Sequence, residues 1–234
     1  MRLNAALFGT VSVLLGALCP VASQAVPVTY SFSTGPAIVG GDPVSPLLAG
    51  LSVSGTFDYD SSVAASGTDV AGPAAGATAY AGAISNLNGA VGGSSFADPA
   101  GTAAVGNDKF APPLVDILLL RANPLPGPYD DFSGFELGAF RLVNVRMFWI
   151  ESVVAGTPDF LSSQDLPGAL PAFAGRLALD FVSTAGPGGL TFVFFDGFRA
   201  AAVRVPEPGA LSLLSLGLLG FGLNRRRRPT CHEV

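Results

Sequence analysis

The chain has 234 residues, of which 17 are acidic and 12 basic, for a net charge of −5. Its only histidine, His232, and its only cysteines, Cys19 and Cys231, lie near the two ends, so the body of the chain holds neither residue type. This excludes a Ser-His-Asp triad, a cysteine nucleophile, an ordinary zinc site and a disulfide framework from the body, and the acidic balance argues against nucleic acid, which needs a basic footprint.

In chain order, Met1-Arg2 is a short positive start and Ala5 to Leu18 an apolar stretch of secretory length. Ser23-Gln24-Ala25 places small residues where signal peptidase reads, which predicts a signal helix over residues 1–25 and cleavage after Ala25. A lipoprotein signal at Cys19 is the alternative, but Leu18 is bulky where a small residue is expected. The body, residues 26–204, is long enough for one domain with its own core. It keeps 15 acids and 7 bases once Arg2, Glu207, Glu233 and Arg225 to Arg228 are set aside, a charge near −8.

Strands are predicted from a period of two. Val28, Tyr30 and Phe32 share one parity, as do Leu51, Val53, Phe57 and Tyr59, and again Leu177, Leu179 and Phe181. Further strand candidates are Ala79 to Leu87, Leu114 to Leu120, Gly138 to Val145, Met147 to Val154 and Leu190 to Phe195. Asp196-Gly197 reads as a turn, with Phe198 to Val203 returning as a last strand beside the first. Ser61 to Thr78, Ala97 to Pro113 and Asn123 to Pro128 read as irregular, and Phe160 to Ala172 as holding a short helical turn. Many short strands separated by Gly and Pro, with no amphipathic helix, predict an all-β domain: an antiparallel β-sandwich or jelly roll.

Candidate chemistry in the body is limited to carboxylates and aromatics. Asp58 and Asp60 share a strand face and, with Asp69 or a loop carbonyl, are candidate Ca²⁺ ligands; no other cofactor is expected. Asp130-Asp131 with Glu136 form a second acidic cluster, and paired carboxylates are the acid–base apparatus left to a His-free glycosidase. Trp149 lies in a strongly apolar strand and is expected in the core. Tyr129 and Phe132, in a Pro-rich turn, are better placed for contact with sugar.

The C-terminal residues 205–234 form a segment of their own. Val205-Pro206-Glu207-Pro208 is followed by an uncharged apolar run, Gly209 to Leu223, and by Arg225, Arg226, Arg227 and Arg228. As a helix the run covers ~22 Å of a ~30 Å hydrocarbon core, a gap that flanking residues and local thinning can close. The arginines favour the cytoplasmic side and predict a stop in the inner membrane.

A Sec-type signal at one end, with Val-Pro-Glu-Pro, an apolar helix and an Arg cluster at the other, resembles the PEP-CTERM proteins of Gram-negative bacteria. The resemblance implies that Pro206, Glu207 and Pro208 are the recognition element for exosortase, a membrane protease-transpeptidase, and that Arg225 to Arg228 are the stop. It implies a transient inner-membrane anchor, then a cell-surface or extracellular destination, and an association with exopolysaccharide and biofilm. Gly55-Thr56-Phe57-Asp58-Tyr59-Asp60 and Gly175-Arg176-Leu177-Ala178-Leu179-Asp180-Phe181 resemble strands of the β-domains in such proteins. The expected function is therefore an exported, exosortase-processed, non-enzymatic matrix or surface component with glycan as a candidate ligand. The alternatives are a secreted carbohydrate-active hydrolase using Asp or Glu, and a permanently membrane-anchored surface protein.

Overall fold

The computed structural model describes residues 26–69, 74–109, 115–123, 132–152, 160–186 and 189–203. The predicted signal helix, its cleavage site at Ala25, the sorting element and the membrane segment lie outside these residues. The chain divides into two compact units, Met1–Ala202 and Val203–Val234. Among the described residues no helix is long and apolar enough to cross a membrane.

The described part of the first unit is built from antiparallel strands. They are β1 (Val28–Pro36), β2 (Ser52–Tyr59), β3 (Gly67–Thr68), β4 (Thr78–Val91), β5 (Ser94–Lys109), β6 (Val115–Arg121), β7 (Glu136–Leu137), β8 (Phe140–Ser152), β9 (Gly175–Ser183) and β10 (Thr191–Ala202), with a 3-10 turn at Ser45–Leu48. The strand order is β2-β1-β10-β9-β8-β6-β5-β4, and β2 also pairs with β4. That last pairing closes the sheet into an eight-stranded barrel, with β3 added to β4 and β7 to β8. The described residues are all-β and antiparallel as expected, but the sheet returns on itself rather than splitting into a sandwich or jelly roll. The first and last strands do pair, Tyr30 facing Ala202 and Ser33 facing Arg199, so the chain leaves the barrel beside the point where it enters.

The period-two residues fill the barrel. Phe57, Tyr59, Trp149, Phe181, Phe195 and Phe198 are all buried there, and each contributes about 1.5–3 kcal/mol relative to exposure. Trp149 is a core residue, edge-on to Phe198 at 5.1 Å, and its Nε1–H donates to the Phe173 carbonyl at 3.2 Å.

Four local expectations change. Ala97 to Pro113 does not stay irregular, because residues 94–109 form the long strand β5. Its Ala and Gly residues have weak intrinsic strand preference, but pairing with β4 on one side and β6 on the other holds them in the sheet. Residues 138–152 hold one strand, β8, rather than two. Asp196-Gly197 is a bulge inside a continuous β10, with Gly197 at φ +68°, and not a turn between two strands. The stretch 160–172 holds no helix. The two-residue turn that does join a hairpin, Gly92-Gly93 between β4 and β5, takes φ of +56° and +86°. A Gly-Gly pair is a readable signal for such a turn.

Barrel closure depends on two glycines. Gly55 of β2 faces Gly89 of β4 in the closing seam. A Cβ on Gly55 would lie 2.1 Å from the Asn88 carbonyl oxygen and 2.7 Å from the Phe32 ring, and one on Gly89 would lie 2.3 Å from the Phe96 ring. Phe32 and Phe96 thus cover the strands where side chains are missing, a known device for curving a sheet. Gly55→Ala is expected to destabilise the barrel by about 1–3 kcal/mol through overpacking, measured by denaturant unfolding. An unchanged midpoint would remove the seam argument.

One end of the barrel is crossed by residues 160–173, which form no regular structure but are tied to the strands. The Tyr59 hydroxyl donates to the Pro167 carbonyl at 2.8 Å, and the Tyr80 hydroxyl to the Gln164 carbonyl at 2.6 Å. The Leu161 N–H donates to Asp116, and Leu161 and Leu170 enter the core. Burial pushes the Tyr59 phenol well above its ordinary value, with Tyr30, Tyr80 and Asp60 adding to the effect. Burial and then Asp165 raise Tyr80 as well. The folded state therefore holds these protons more tightly than the unfolded chain. The stability this contributes is complete below about pH 10 and is lost as pH rises through the raised values. Phenolate absorbance is expected to rise for Tyr59 and Tyr80 together with unfolding, and Tyr59→Phe to shift the alkaline transition upward. A separate phenolate step in the folded protein would contradict this.

Candidate functional site

The carboxylates picked out in the sequence have separate partners. Asp58 Oδ1 accepts from Thr29 Oγ1 at 2.6 Å and its Oδ2 from Asn86 Nδ2 at 2.8 Å, across three strands. Asp60 lies just past β2, where its Oδ1 accepts from the Ser62 N–H and hydroxyl. Asp69 is buried and paired to Arg121, Oδ1 to Nη2, at 3.0 Å. The structure therefore does not bring Asp58, Asp60 and Asp69 to one point, and among the described residues no three His, Cys, Asp or Glu side chains converge. Glu136 is exposed in β7 opposite Arg141, whereas Tyr129, Asp130 and Asp131 lie outside the described residues. Phe132 is partly buried and stacked on Phe96 at 6.3 Å, which ties it to the barrel.

Sequence reasoning missed a buried polar network on the outer wall. On β6 the residues Leu118 and Leu120 enter the main core, so the alternate residues Ile117, Leu119 and Arg121 face outward. A register shift after Leu142 in β8 turns Asn144, Arg146 and Phe148 outward as well. Arg146 Nε lies 3.0 and 2.8 Å from the two Asp180 oxygens, and Nη2 is 2.6 Å from Oδ1. Asn144 Nδ2 also donates to Asp180 at 3.2 Å, and the Asn123 N–H donates to Asn144 Oδ1. Burial pushes the Asp180 carboxyl above its ordinary value, and Arg146 and Asn144 only partly offset that. Arg121 sits directly opposite Arg146 in the β6–β8 register. The contacts join β6, β8 and β9 to the residues that flank them. The partners are 34 and 52 positions apart, so no local spacing announces them.

The two strand motifs have physical reasons. In Gly55 to Asp60, Gly55 permits the seam, Phe57 and Tyr59 fill the barrel, and Asp58 and Asp60 tie its outer side. In Gly175 to Phe181, a Cβ on Gly175 would lie 2.5 Å from the Phe148 carbonyl oxygen and 3.0 Å from the Trp149 ring. Leu177, Leu179 and Phe181 enter the core, and Asp180 holds Arg146.

Arg176 belongs to an open cleft of about 480 Å³ on the same outer wall, lined by Phe148, Ile150, Gly175, Asp196 and Gly197. Arg176 Nε is 2.7 Å from Asp196 Oδ1, and both side chains are more than half exposed. Asp196 shares its parity with the outward Phe192 and Phe194, while the bulge after it returns Phe198 to the core.

Beyond β10 the chain enters the segment with the Pro-Glu-Pro element. The family model for the PEP-CTERM protein-sorting motif matches residues 204–228. The chain carries a PEP-CTERM sorting motif. It begins two residues after the last strand, and it takes in Val205 to Pro208, the apolar run and the four arginines. A PEP-CTERM motif implies an exosortase-directed protein, exported through the membrane of a Gram-negative bacterium toward the cell surface. No curated protein and no solved structure matches the chain.

Proposed function

We propose that this chain is an exported surface or extracellular matrix component. Its barrel is non-catalytic and binds glycan, its signal peptide is removed after Ala25, and exosortase processes its C-terminal segment. The observation that carries this is the PEP-CTERM motif beginning directly after β10. The inner membrane is a transient station in this scheme, with exopolysaccharide as the partner outside and biofilm as the setting. Two observations support a binding role over a catalytic one. The body lacks His and Cys, and the described carboxylates Asp58, Asp60, Asp69 and Asp180 are engaged by donors within the fold. The reading assigns no metal or cofactor.

Mass spectrometry of the exported protein tests the processing step. The expected result is a chain beginning at Val26 and lacking Arg225 to Arg228. An intact arginine peptide in the surface fraction would instead mean a permanent anchor. Incubation with polysaccharides tests the other half, and the expected result is binding without release of sugar.

A further inference from the structure

The outer wall of the barrel has two chemistries. Across β1 and β2 it is polar, with Ser31, Ser33, Ser54, Thr56 and Asp58 alternating with the buried residues. Across β8, β9 and β10 a row of aromatic rings runs beside the Asn144–Arg146–Asp180 network. Phe148 meets Phe194 edge-on at 6.2 Å, over the small Ala178 of the intervening strand, which pairs with Phe194 on one side and Arg146 on the other. Phe194 in turn lies 6.4 Å from Phe192. The Arg146 guanidinium sits 5.0 Å from the centre of the Phe192 ring, and Phe192 is 43 % exposed. The row of rings ends at the cleft holding Arg176 and Asp196.

We propose that this cleft is a binding subsite for a neutral polysaccharide chain, which continues from it along Phe194 to Phe192; this rests on the glycan-binding reading above. From Asp196 to Phe192 the strand covers about 13 Å, room for a few sugar rings. The cleft volume of about 480 Å³ falls within the range of small-molecule sites. Its chemistry suits a sugar. Ile150, Gly175 and Gly197 give an apolar floor for a ring face. The shortest contact of the ion pair is Arg176 Nε to Asp196 Oδ1, and both side chains are more than half exposed, so guanidinium donors and a carboxylate acceptor stand side by side within reach of adjacent hydroxyls. The pair is neutral as a unit and the body is acidic. An acidic polymer would meet repulsion without a surplus of cations.

Affinity electrophoresis of the full-length chain in detergent tests this, with dextran and a soluble mixed-linkage glucan as neutral probes and alginate as the acidic one. Arg176 and Asp196 are both exposed, so Arg176→Ala and Asp196→Ala should fold normally, as circular dichroism would verify. The expected result is retardation by a neutral glucan, weakened about ten-fold or more in each variant. Phe192→Ala is expected to weaken it less. Undiminished binding in both charged-residue variants would overturn the cleft while leaving glycan binding in place. Retardation by alginate alone would overturn the neutral-chain assignment. No retardation of the wild-type chain by any glycan would sink both the cleft and the glycan-binding reading.

Discussion

Arg146→Met is expected to cost the barrel about 3–5 kcal/mol, the penalty for leaving a buried charge without its partner. Asp180 is fully buried and lies on the outer wall, where Arg146 contacts both its oxygens. Removing the guanidinium leaves only Asn144 to serve that carboxylate among its side-chain partners. Burial already disfavours the charged form of Asp180, so in the variant the carboxyl takes up a proton more readily. The variant should then lose most stability near neutral pH and regain part of it on mild acidification. The sign follows from linkage: a carboxyl whose folded pKa lies above the unfolded one binds protons on folding, so stability falls as pH rises through that interval. For a domain with total stability of about 5–15 kcal/mol the loss is a large fraction. In thermal unfolding it should appear as a fall of roughly 6–20 °C. The double variant Arg146→Met/Asp180→Leu should recover most of the loss, because neither charge is then buried. A drop below about 1 kcal/mol in the single variant would show that solvent reaches Asp180.

Replacing Arg225, Arg226, Arg227 and Arg228 together by serine is expected to abolish the membrane stop. Each arginine at the membrane centre costs about 2.5–3.5 kcal/mol on insertion scales, so the group opposes translocation by about 10 kcal/mol or more. The apolar run of residues 209–223 is short for a bilayer, so in the proposed scheme its arrest depends on that flank. Without the arginines the segment should pass through, and the exported chain should be recovered with its C-terminal residues 209–234 intact. Replacing Glu207 by Ala keeps the arginines but removes the residue proposed as central to recognition, so that variant should accumulate unprocessed in the membrane fraction. The two variants thus predict opposite locations for the same uncut chain. Normal trimming of the serine variant would mean that processing needs no arrest.

The barrel's strands were largely legible because alternation is local. Tyr30 and Phe32, Phe57 and Tyr59, and Leu177 and Leu179 lie two positions apart, and each pair enters the core. β5 was not legible, because Ala and Gly carry almost no alternation signal and the strands that pair with it on either side are set by the topology. Asp196-Gly197 carries the same local signal for a turn and for a bulge, and only the registration of β10 on β9 separates them.

The sequence alone determined the address and the missing chemistry. The sorting element, the apolar run and the arginine cluster are contiguous, and absent residue types are absent in any fold. Tertiary structure decided what depends on distant pairs. Closure into a barrel rests on Gly55 meeting Gly89, and the buried charge on Arg146 meeting Asp180. The cleft exists because Arg176 and Asp196 are neighbours only once β9 and β10 have paired. Contacts between residues far apart in sequence follow from topology and register, which no short window of residues encodes.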